Sequence, residues 1–168
     1  MKSKKGFTLV ELLAVIVILA LIMGIAVVSI SGILNSTRQS TMKETAVSII
    51  NGVRQQATIA NQLYAGDYIF DKNILESGGG AAPLGGEYVF SSLSATECGT
   101  GDTKIGSNVC RKGTAFTECK SSSTSFVRVS GTGPFTYSIC LTAGSGQKYI
   151  ELGTEDALLN SNDNSMIK

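Results

Sequence analysis

Lys4-Lys5-Gly6-Phe7-Thr8-Leu9-Val10-Glu11-Leu12-Leu13 is the stretch that decides how this chain is built. A short basic leader ends in glycine, and a long apolar run starts at once, with one acid near its front. From Leu12 to Thr37 no residue carries a formal charge, and Leu12 to Val28 is almost wholly Leu, Ile, Val and Ala. Such a run is long enough to cross a bilayer, which takes about 20 apolar residues. A carboxylate so close to it is costly in lipid and calls for a partner. Locally, Thr8-Leu9-Val10-Glu11 has the S/T-x-x-E spacing of a capping box, in which both side chains satisfy orphan donors at a helix start. An acid in the first turn also suits the helix dipole.

Taken together, the glycine, the phenylalanine, the acid at Glu11 and the apolar run resemble the type IV prepilin signature. Type IV pilins and the pseudopilins of type II secretion and competence systems share it. The resemblance implies that a prepilin peptidase cuts between Gly6 and Phe7 and methylates the new amine of Phe7. It also makes Glu11 the acid that pairs with a neighbouring subunit's Phe7 ammonium. Physically, such a pair sets register, because a slip leaves a buried charge alone. Two simpler accounts fit less well. A secretory signal peptide has an apolar region of about 7–15 residues, shorter than this one, and Ser29-Ile30-Ser31 is a poor A-x-A site. A plain membrane anchor explains neither Gly6-Phe7 nor Glu11.

The 168 residues fit one domain plus a membrane segment. The net charge of +1 depends on the leader: without Lys2, Lys4 and Lys5, 11 basic side chains face 13 acidic ones. Those lysines precede the apolar run, so the N-terminus is expected inside and the remainder outside. Cys98, Cys110, Cys119 and Cys140 then meet an oxidising compartment and are expected to form two disulfides, in any of three pairings. No C-x-x-C occurs and the chain has no histidine, which argues against a zinc site.

Beyond the apolar run, Ala46, Ile49, Ile50, Val53, Ala57, Ala60 and Tyr64 recur at helical spacing as one buried stripe, with Lys43, Glu44, Arg54, Gln55, Gln56 and Asn61 between them expected to face water. One helix is predicted from Phe7 to Tyr64, stopped near Gly66, with Gly24, Gly32 and Gly52 as weak points. Residues 66–86 read as a glycine-rich loop. Strands are predicted at Glu87–Leu93, Ser125–Ser130, Phe135–Leu141 and Lys148–Leu152, the last three as an antiparallel meander with one face on Ile49, Val53 and Ala57. The fold class is therefore α+β, a long helix on a small antiparallel sheet, as the family resemblance also implies. The divisions are a leader at 1–6, a membrane and filament-core helix at 7–34, an amphipathic half at 35–65, and a head at 66–168. The polar stretch Cys98–Lys120 is expected to be ordered by disulfides, and the tail Asn160–Lys168 to fray. Asn35-Ser36-Thr37 reads as a chance sequon.

No catalytic residue, cofactor or metal site is expected. Asn160-Ser161-Asn162-Asp163-Asn164 is rich in oxygen but holds one carboxylate, where calcium wants several oxygen ligands. The resemblance implies a structural pilus subunit: a single-pass protein of the cytoplasmic membrane, head outside, that becomes an extracellular filament. Its partners are then other copies and other pilins, the prepilin peptidase, and the assembly platform protein with its ATPase. The alternative is a pseudopilin of type II secretion or DNA uptake, although major secretion pseudopilins are typically smaller and use calcium instead of disulfides. Arg111, Lys112 and Lys120 are the candidates for a small nucleic-acid patch, against the commoner reading of a solvated charge cluster.

Overall fold

The computed structural model describes residues 8–75, 80–94 and 96–168, apart from the side chains of 26–29. Two compact units divide between Thr37 and Arg38. In the first, helix α1 (Leu9–Ile59, continuing into the second unit) carries its large apolar side chains in the open: Leu9, Leu13, Ile16, Ile22, Ile25 and Ile33 are all exposed. Among the described residues no single helix is long and apolar enough to cross a membrane. Taken as a pair, Leu9–Ile25 and Ile30–Ile59 pass by length and composition. A Cβ at Gly24 or Gly32 would meet nothing, whereas one at Gly52 would come within 3.0 Å of Ile74. Of the three glycines, only Gly52 packs closely against another part of the chain.

The second unit is the head. Met42, Ala46, Ile49, Ile50, Val53 and Ala57 of α1 are fully buried, the stripe expected from their spacing. The helix ends earlier than expected, because Asn61 adopts a left-handed φ of 52°. Its N–H donates to the Thr58 carbonyl and the Gln62 N–H to that of Ala57, the paired bonds of a Schellman cap, which favours Gly or Asn at this position. Ala60 and Tyr64 are consequently exposed and do not extend the stripe.

A six-stranded antiparallel sheet follows, in the order β2-β3-β1-β4-β5-β6. Its strands are β1 (Gly66–Phe70), β2 (Thr103–Ile105), β3 (Val109–Arg111), β4 (Phe126–Ser130), β5 (Thr136–Leu141) and β6 (Ile150–Thr154), and a short helix α2 (Glu155–Leu159) closes the series. The β4-β5-β6 meander matches the sequence reading within a few residues. Three strands do not. β1 lies at the centre of the sheet, inside the segment read as a loop, and β2 and β3 lie in the polar cysteine region. Conversely, 87–93 forms no strand. It crosses the ends of the sheet, with Val89 N–H on the Thr142 carbonyl, Ser91 N–H on that of Phe70, and the Val89 carbonyl taking Ser125 N–H.

Side chains alternate across the sheet with period two. Tyr68, Phe70, Val127, Val129, Ile139 and Leu141 join the α1 stripe in the main core. Ile69, Phe126, Cys110, Cys119 and Cys140 form a second core on the other face. Disulfides Cys98–Cys110 and Cys119–Cys140 cover that outer face, and the stacked rings of Phe116 and Phe126, 4.6 Å apart, extend the cover. This arrangement is the α+β architecture expected from the sequence.

Candidate functional site at the helix start

Thr8 caps α1. Its Oγ1 accepts from the Glu11 N–H at 3.3 Å and donates to Glu11 Oε2 at 3.0 Å, while its own N–H donates to the same Oε2 at 2.8 Å. The carboxylate is thereby fixed at the helix start, where the dipole favours negative charge. Gly6 and Phe7, the cleavage and methylation candidates, lie outside the described residues.

Behind this cap, the exposed apolar surface sets the chemistry. Among the described residues, sixteen large apolar ones from Leu9 to Leu34 are exposed. Each contributes about 1.5–3 kcal/mol when fully buried, so the total reaches tens of kcal/mol. That is more than the ~5–15 kcal/mol that holds an average domain folded. Such a surface is compatible with lipid or with other apolar helices, and not with water.

The other sequence candidates fall into place as structural groups. Lys112 donates to Asp102 at 2.6 Å and to the Glu97 carbonyl at 2.7 Å. Burial would raise the Asp102 carboxyl, but the Lys112 ammonium and the Gly113 and Gly99 N–H groups outweigh it and hold its pKa below the ordinary value. Lys120 pairs with Glu118. Arg111 reaches Thr103 and lies 5.1 Å from the Tyr64 ring centre. Two of the three cations in the candidate nucleic-acid patch, Lys112 and Lys120, are thus each paired with an acid.

Three charged groups were read wrongly or not singled out. Lys43, expected to face water, is only 3% exposed, and its ammonium donates to the main-chain carbonyls of Asn160, Ser161 and Asp163. The oxygen-rich tail is therefore folded around a lysine. It does not fray: Ile167 bridges to Ile150, the Glu151 N–H binds the Met166 carbonyl, and Tyr149 and Lys168 exchange both backbone bonds. Arg54, also expected outside, is half-buried over the Tyr137 ring and paired with Glu155 of α2 at 2.5 Å. Asp67, at 1% exposure, takes both arms of Arg128 at 2.7 Å and the Phe116 N–H at 2.6 Å. This cross-strand pair, whose acid raises the Arg128 pKa, lets a central strand carry a buried charge.

No curated protein and no solved structure matches the chain. Residues 1–27 match the family model of the prokaryotic N-terminal methylation motif. The chain thus carries a type IV prepilin-like signal, and that motif marks it as a precursor of the type IV pilin-like or pseudopilin kind.

Proposed function

We propose that this chain is the structural subunit of a bacterial type IV pilus. Prepilin peptidase removes residues 1–6, Phe7 becomes the methylated N-terminus, and the subunit waits in the cytoplasmic membrane with its head outside. A platform protein and ATPase then draw it into a helical filament. The observation that carries this reading is the exposed apolar surface of α1 beneath the methylation motif. In a filament each helix exchanges lipid for its neighbours, and its apolar surface stays out of water throughout. The fixed Glu11 carboxylate, held at the helix start by Thr8, supports this reading; its partner in the filament would be the Phe7 ammonium of the next copy.

Two features of the head support the pilus reading. Two disulfides cover its outer sheet face, and a lysine ammonium ties the C-terminal tail to the helix by bonds to main-chain oxygens. A head cross-linked in this way suits long exposure outside the cell, where covalent bridges persist. Deleting the gene is the test. Loss of surface filaments, with protein secretion and DNA uptake intact, supports the pilus. Intact filaments with loss of either transport process would assign the chain to a pseudopilin instead.

A further inference from the structure

Within the head, α1 and the short helix α2 leave between them a notch of about 340 Å³ with a mainly apolar wall. Lys43, Glu44 and Val47 line one side, and Leu158, Leu159 and Ser161 the other. Among the described residues of the head, the large apolar side chains left exposed are Ile59, Tyr64 and Leu159, and Leu159, at 67%, stands in the wall of this notch. Of the two charged lining residues, Lys43 has its ammonium committed to the carbonyls of Asn160, Ser161 and Asp163. The exposed Glu44 carboxylate disfavours an anionic lipid headgroup. An uncharged apolar group is the occupant that suits such a wall.

The chain itself carries a matching surface, the exposed apolar side chains between Leu9 and Leu34, which water does not tolerate as one patch. In sequence, Ile33, Ser40 and Val47 are seven apart, the repeat by which one helix seats on another. Ile33 belongs to the exposed apolar set, and Ser40 and Val47 line the notch. The repeat that ends the apolar half thus runs into residues of the notch.

We propose that the notch receives an aliphatic side chain from the apolar half of α1, Leu9–Leu34, of a second copy of this chain. The inference rests on the reading of the chain as a polymerising subunit and names a contact on the head that polymerisation would use. Side chain and notch are different surfaces, so the contact is heterologous. A copy that fills its neighbour's notch still offers its own, and where the rotation does not close, such contacts build an open helical array.

The test places a benzophenone amino acid at Leu159 of the full chain in cells and, in a second strain, at Ser40. Sheared filaments and isolated membranes are irradiated, and the adducts are mapped by mass spectrometry. The expected product in filaments is a dimer joining the probe of one copy to a residue between Leu9 and Leu34 of another. Adducts confined to phospholipid, to the probe's own chain or to residues 38–168 of another copy overturn the proposal, as does the absence of dimers from both fractions. A carboxylate at position 159 would be buried there without a partner. Leu159→Asp should therefore lower filament yield by ~10-fold or more, with leader cleavage and the protease resistance of the head unchanged, whereas Leu159→Met should keep the yield. Normal filament yield from Leu159→Asp also overturns the proposal. If wild-type cells make no filaments, the pilus reading fails by itself; dimers of the same linkage in the membrane fraction would then leave the notch contact standing, and their absence would refute both.

Discussion

Replacing Lys43 by methionine keeps an apolar stem in the core and removes only the ammonium. In the native head that ammonium donates to three carbonyls, of Asn160, Ser161 and Asp163, at 3.0, 3.4 and 2.5 Å. Hydrogen bonds to a charged group contribute about 1.5–3 kcal/mol each, and the longest of these contributes least. Water can reach the exposed Asn160 and Ser161 once the lysine is gone, which offsets part of the loss. The net cost is therefore about 2–4 kcal/mol. At roughly 3 °C per kcal/mol for a head of this size, the melting temperature should fall by about 6–12 °C. Hydrogen exchange localises the effect. The amides of Glu151 and Lys168, which pair the tail to β6 and its approach, should lose protection before those of β1 and β4 do. A melting temperature within about 3 °C of wild type, with tail protection unchanged, would refute the cation-clamp argument.

Glu11→Ala should still be processed and methylated, but should enter sheared filaments poorly when expressed as the sole copy; normal filament yield would sink the register argument. Removing Cys119 and Cys140 together opens the bridge between residues 21 apart. It should cost about 3 kcal/mol by loop entropy, read as a lower melting temperature and greater protease sensitivity of the outer sheet face. Asp102 is depressed below its ordinary value of 3.8, so its stabilisation is complete above that pH and lost as pH falls through the folded-state pKa. Asp102→Asn should flatten that part of the acid-unfolding curve, and an identical curve would remove the carboxylate from the account.

The helix stripe and the final meander were legible because their burial follows strict periods, 3.6 for Ala46, Ile49, Ile50, Val53 and Ala57, and two for Phe126–Val129. Lys43 was legible as well, had charge not overruled position: 43, 46, 50, 53 and 57 fall on one helical face. What hid its burial is that its partners are backbone oxygens more than a hundred residues away. β1 was hidden by Asp67, whose charge reads as loop until Arg128 is placed opposite it. The run Tyr68-Ile69-Phe70 was the signal there, since aromatic and β-branched residues favour a pleated, half-buried surface. β2 and β3 are three residues each, too short to show a period, and the Cys98–Cys110 bridge helps to hold them on the sheet. Cysteine pairing depends on that register, which local sequence does not carry. At the N-terminus, by contrast, the cap was readable because every bond in it spans three residues.

The central claim is tested most directly by mass spectrometry of surface filaments sheared from cells and digested without reduction. The account predicts an abundant peptide beginning at N-methylated Phe7, together with cystine peptides joining Cys98 to Cys110 and Cys119 to Cys140. An intact Met1 leader in the presence of active peptidase, or processed chain found only in the membrane fraction, would contradict it.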